Sequence, residues 1–167
     1  CRGGQEQGAW ASSYLNGQTE SSGEMLDGRR HGNWYFYHAN GKRQKTGQYH
    51  RGTKIGLWIR WHQDGTSQGK GLYENGLRNG EWPEWHPNGQ LSLQREYRAG
   101  HIIGVFKEFY PSTATKVLGR YFNGQKEGNW FTSHENGRWA KKGGYQQGRK
   151  TGLWEEWYLN GADKSSV

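Results

Sequence analysis

The chain has little of what most folds are held together by. Among 167 residues there are one cysteine, three prolines and one methionine. A single cysteine excludes a disulfide within the chain. Leu, Ile, Val and Phe together number 22, a small stock for an aliphatic core of this length. No apolar run approaches the roughly 18 residues that a membrane-spanning helix needs, and no stretch places helix caps around an amphipathic run. With a net charge of +8, such a composition on its own resembles that of disordered chains. What is present points the other way. Ten Trp and ten Tyr can each bury a large area, so a thin sheet can be held by rings in place of aliphatic side chains. Twenty-eight glycines imply many turns.

Those rings and glycines recur with a period of 24 residues. Stepping from Gly8 lands on Gly32, Gly56, Gly80, Gly104, Gly128 and Gly152 without an insertion. Two residues on stand Trp10, Trp34, Trp58, Trp82, Phe106, Trp130 and Trp154. Further on come Asn16-Gly17, Asn40-Gly41, Asp64-Gly65, Asn88-Gly89, Asn136-Gly137 and Asn160-Gly161, then Met25, Tyr49, Tyr73, Tyr97, Tyr121 and Tyr145, each followed three residues later by glycine. Asn-Gly between two aromatic-bearing runs predicts a β-hairpin with a type I′ turn, in which both central residues take positive φ. The later glycine pair predicts the return turn. The expected fold is all-β, with tandem β-hairpin repeats forming an elongated, twisted, single-layer antiparallel meander. About thirteen strands at roughly 4.8 Å spacing would give a rod near 60 Å long. Residues 1–7 read as a linker, 8–161 as six full repeats plus a half repeat, and 162–167 as a frayed tail.

The unit resembles the MORN repeat, and more closely its bacterial variant. The best local match runs from Tyr73-Glu74-Asn75-Gly76 through Gly80-Glu81-Trp82 to Trp85 and Asn88-Gly89, and the resemblance covers residues 8–161. It departs where Ser112-Thr113 replaces Asn-Gly and where Ser133 replaces an aromatic residue. The resemblance implies scaffolds, membrane-associated adaptors or lipid-anchored bacterial proteins, with some relatives labelled antitoxins. It implies no catalytic residue and no cofactor.

Several constellations invite a functional reading. Cys1 followed by the polar run Arg2–Gln7 looks like a mature bacterial lipoprotein, which predicts lipid attachment at Cys1 and an outer-membrane, periplasm-facing location; a cytoplasmic location is the alternative. Arg30, Lys54, Arg78, Lys126 and Lys150 share one repeat position, interrupted by Ile102. Such a row can track an anionic lipid or polysaccharide surface, or can simply be solvated turn residues. The interspersed Asp and Glu argue against nucleic acid. His38, His62, His86 and His134 also share one position, but at about 10 Å spacing they cannot share a metal ion, and they read as an amphipathic cover for the hairpin ends. Gly65-Thr66-Ser67-Gln68-Gly69 matches a nucleophile elbow by letters only, because the strand–turn–helix context is missing.

The middle of the chain is irregular. Pro83 and Pro87 cannot donate to a ladder and should interrupt pairing or bend the strand. Ile102, Ile103, Val105 and Phe106 form the most aliphatic stretch, either a patch that docks a partner or a local bend that buries them. The functional expectation is a non-enzymatic protein–protein interaction scaffold, an accessory subunit of a membrane-associated assembly, with no small-molecule substrate. The alternatives are an antitoxin or immunity-type protein and a peripheral binder of anionic lipid or polysaccharide.

Overall fold

The computed structural model describes residues 7–164. It contains fourteen strands and, among the described residues, no helix. The chain divides into two compact units, residues 1–79 and 80–167. The first holds β1 (Gly8–Ser13), β2 (Thr19–Leu26), β3 (Arg29–Tyr37), β4 (Arg43–His50), β5 (Thr53–Trp61), β6 (Ser67–Glu74) and the start of β7 (Leu77–Glu81). The second holds the end of β7, β8 (Glu84–Trp85), β9 (Leu91–Arg98), β10 (His101–Phe109), β11 (Thr115–Phe122), β12 (Gln125–Ser133), β13 (Trp139–Gln146) and β14 (Arg149–Glu156). Within each unit neighbouring strands pair antiparallel in sequence order, the meander expected from the repeat. The extra strand arises where Pro83 splits one strand into β7 and β8. The ladder survives the split because the Trp82 N–H still donates to the Arg95 carbonyl at 2.9 Å.

The type I′ turn expected at Asn-Gly is not formed there. At Asn16-Gly17 only the glycine has positive φ, 82°. The Gly17 N–H donates to the Tyr14 carbonyl and the Tyr14 N–H to the Gln18 carbonyl, so the loop is a type I turn closed by a left-handed glycine. The type I′ geometry belongs instead to the return turns. Asp27-Gly28, Arg51-Gly52, Asn75-Gly76, Ala99-Gly100, Asn123-Gly124 and Gln147-Gly148 have positive φ at both residues. A two-residue connection matches strand twist only in that conformation, so loop length overrides the weak preferences of Arg, Ala and Gln.

After each return turn the strand bulges. Ser22 pairs with Tyr35 and Glu24 with His31, so Gly32, Asn33 and Trp34 together oppose Gly23. Gly32, at φ 67°, supplies the conformation the bulge needs. The same irregularity recurs opposite Gly47, Arg95, Gly119 and Gly143. The tail expected to fray is tied down in its first part. Asp163 bridges Trp157, and the Lys164 N–H donates to the Glu156 carbonyl at 2.9 Å. Residues 165–167 lie outside the described residues.

Candidate functional site

The bulge places four of the tryptophans flat on a glycine of the preceding strand. A Cβ built on Gly23 would lie 2.5 Å from the Trp34 ring, one on Gly47 2.2 Å from Trp58, one on Gly119 2.3 Å from Trp130, and one on Gly143 2.2 Å from Trp154. The tyrosine column closes the sides. Tyr49 meets Trp58 edge-on at 5.1 Å, Tyr121 meets Trp130 at 5.2 Å, and Tyr145 meets Trp154 at 5.1 Å. In a sheet one layer thick, Trp34 is 0% exposed and Trp58 3%. The aromatic face therefore hides itself, and its rings need no partner to cover them.

The basic row forms the lid of this face. The Arg30 guanidinium lies 4.5 Å above the Trp34 ring, and the ammonium groups of Lys54, Lys126 and Lys150 lie 4.6, 4.2 and 4.5 Å above Trp58, Trp130 and Trp154. These are cation–π contacts whose stems also cover apolar surface. Arg78 stands opposite Tyr73 in register. Burial acts to raise the Tyr73 phenol, but hydrogen bonds from Arg78 and Lys54 outweigh it and hold the group below its ordinary value.

One repeat breaks the pattern at three places together. Arg95 occupies the glycine position, Phe106 the tryptophan position and Ile102 the cation position. A larger side chain at the glycine position thus coincides with a smaller ring. The cation is relocated as well: Arg95 lies 5.6 Å from the Tyr97 ring and forms an ion pair with Glu84. The glycine column Gly23, Gly47, Gly71, Gly119 and Gly143 was legible in the period, and its break at Arg95 coincides with Phe106.

The six residues expected to form a docking patch are not brought together. Phe106 packs in the aromatic ladder, 5.6 Å from Tyr121 and 5.7 Å from Trp130, and Ile102 pairs with Tyr97 beside it. Val105 pairs with Arg120 and points to the opposite face, where it is 51% exposed. Ile103 sits on that face too, half-buried in a groove lined by Arg98, Arg120, Phe122 and Glu127. Pro83 is half-buried between β7 and β8, and Pro87 is exposed at the hairpin end.

The histidine column is a set of staples between repeats. The Nε2 atoms of His38, His86 and His134 lie 3.0, 2.9 and 3.2 Å from the carbonyls of Trp61, Phe109 and Trp157, each one repeat on. Tyr14 and Tyr110 donate to Tyr37 and Ser133 in the same way. The turn asparagines add a second rung. Asn16, Asn40, Asn88 and Asn136 donate to Ala39, Gln63, Pro111 and Leu159, while the carboxamide oxygen accepts the N–H two residues on. Ser67 opens β6 as an exposed residue, with no helix behind it. Cys1 lies outside the described residues.

These features define a β-hairpin repeat protein whose strands pair with their sequence neighbours, with a ring–glycine lock and a cation over the ring at Trp34, Trp58, Trp130 and Trp154. A family model described as MORN repeat variant matches residues 30–51 and 78–99, the segments that carry Arg30–Trp34–Gly47–Tyr49 and Arg78–Trp82–Arg95–Tyr97. These two segments are thus similar to MORN-variant repeats. No curated protein matches it.

Proposed function

We propose that the protein is a non-enzymatic scaffold that holds a protein partner on the sheet face opposite the aromatic ladder, serving as an accessory subunit of a larger assembly. The observation that carries this reading is the cross-strand pair Leu57–Leu72 in the first unit. The two side chains stand directly opposite each other, 48% and 46% exposed, with Leu77 49% exposed on the next strand. The ladder face shields its own rings, whereas these leucines stay about half exposed. Contiguous half-exposed aliphatic surface gains free energy when a partner removes it from water. Proteins built of MORN repeats commonly bind proteins or membranes, which agrees with this reading.

The test compares the parent with a Leu57→Ser/Leu72→Ser variant, each immobilised and exposed to native extract, with bound proteins quantified by mass spectrometry. Far-UV circular dichroism confirms that the variant keeps its sheet. A partner retained by the parent and lost from the variant is the expected result. The same partners in the same amounts on both would overturn the proposal.

A further inference from the structure

On the face opposite the rings, one strand of the first unit departs from its counterparts. Lys54 and Trp58 lie on the ladder face, the ammonium 4.6 Å above the ring. Alternation therefore sends Ile55, Leu57, Ile59 and Trp61 to the other side of β5. All four are apolar. The corresponding positions hold His31 and Asn33 in β3, Lys107 in β10, Glu127 and Asn129 in β12, and Glu155 in β14. Leu72 on β6 and Leu77 on β7 widen the stripe. Its two ends carry opposite charge. Near Trp61 stand two exposed cations: the Arg43 guanidinium lies 4.9 Å from the Tyr35 ring and 6.0 Å from Trp61, and Lys70 pairs with Ile59. At the Ile55 end the exposed Glu74 pairs with Leu77.

Backbone pairing decides what can cover this stripe. β5 pairs with β4 on one side and β6 on the other, so its own N–H and C=O groups are committed to the sheet. A partner strand adds to a sheet only at an edge. An extended segment lying across the face would leave its amides unpaired over apolar side chains, at a cost in free energy. A helix satisfies its amides internally and lays an apolar stripe on the sheet, the layering from which mixed domains are built.

We propose that the protein partner contributes an amphipathic helix that lies along β5, its C-terminal end over Arg43 and Lys70 and its N-terminal end towards Glu74. The inference rests on the reading that this face docks a protein, and adds the form and direction of the docked segment. At roughly 3.3 Å per residue the stripe from Ile55 to Trp61 is at most about 20 Å long. About 13 helical residues span that length at 1.5 Å each. Aliphatic residues spaced three and four apart set one edge of such a helix on Leu57, Ile59 and Leu72. The unpaired carbonyls that close a helix carry partial negative charge and accept hydrogen bonds from Arg43 and Lys70, while the free N–H groups at its start face Glu74.

The experiment titrates the whole protein with a synthetic helical peptide of about 14 residues, leucine along one edge and alanine, glutamine and balanced charges elsewhere. A scrambled isomer of the same composition lacks the edge. Backbone amide shifts are followed by NMR. Saturable shifts confined to β4, β5 and β6 are expected, with the scrambled isomer about tenfold weaker or more. Leu57→Ser/Leu72→Ser lowers the affinity about tenfold or more. Leu153→Ser makes the same kind of change at the equivalent position of β14, where Glu155 interrupts the stripe, and alters affinity less than about twofold. A nitroxide on the peptide C-terminus broadens Ile59 and Trp61, and one on the N-terminus broadens Ile55; the reverse pattern overturns the direction. Equal binding of the two isomers, equal loss in the two variants, or no saturable binding overturns the helix. In those cases an extract partner that still depends on Leu57 and Leu72 leaves the docking face standing, and its absence removes that reading as well.

Discussion

The ring–glycine lock makes a sharp prediction at Gly47. Its φ is not in the left-handed region, so alanine there carries no backbone penalty and differs from glycine only by a methyl group. That methyl would fall 2.2 Å from two atoms of the Trp58 ring and 2.6 Å from a third. The ring cannot retreat freely, because Tyr49 holds it edge-on at 5.1 Å and Tyr73 at 5.8 Å, with the Lys54 ammonium above. If the strand gives way by a few tenths of an ångström, the cost is that of overpacking, about 1–3 kcal/mol. If Trp58 is expelled, the loss approaches the value of burying an indole, about 4–6 kcal/mol at roughly 25 cal/mol per Å². Urea unfolding followed by far-UV circular dichroism measures the total. Amide hydrogen exchange locates it, with protection expected to fall first in β4 and β5. The natural combination of Arg95 with Phe106 supplies the companion test: Trp58→Phe in the Gly47→Ala background should recover about 1 kcal/mol relative to additivity. A loss below about 0.5 kcal/mol for Gly47→Ala, or strict additivity in the double mutant, would refute the lock.

Three further outcomes follow from named contacts. Thr113 holds φ 71° where the other hairpin ends have glycine, so Thr113→Gly should stabilise the protein by about 1 kcal/mol, read as a rise in urea midpoint at constant slope. Asn136→Ala removes the bond to the Leu159 carbonyl at 3.2 Å and the one accepted from the Arg138 N–H at 3.0 Å; it should cost about 1–2 kcal/mol and loosen β14 first in hydrogen exchange. Hydrogen bonds from Thr66 hold the Asp64 carboxyl below its ordinary value, and the Lys141 hydrogen bond does the same for Glu156. Because both folded values lie below the unfolded ones, their contributions are full above the ordinary carboxylate range and are lost as pH falls through the folded values. An NMR titration should show Asp64 moving up in Thr66→Val while Glu156 stays put; an unmoved Asp64 would dispose of the Thr66 assignment.

Much of the architecture was legible because it is local and repeated. A period of 24 with invariant ring and glycine positions can only be satisfied by one supersecondary unit copied in tandem. Pro83 announced the break between β7 and β8, since a residue without an N–H cannot join a ladder. The type I′ turn expected at Asn-Gly is not the one formed, because Asn-Gly accommodates two solutions. A three-residue loop needs positive φ only at its glycine, and the asparagine is then free to bond across to the next repeat. Register decides between these, and register is a property of paired strands.

The candidate sites show the same division. Amino-acid order alone determined that Arg30, Lys54, Lys126 and Lys150 form a row and that Ile102, Ile103, Val105 and Phe106 adjoin. It could not determine what lies beneath the row or which face each apolar residue takes, because the bulge after each return turn inserts residues that reset the alternation. Only the tertiary structure seats the cations on rings and sends Phe106 into the ladder and Val105 to the other face. A repeat dictates which residues are equivalent; what each of them touches depends on the pairing of strands, which brings together side chains that the period keeps apart.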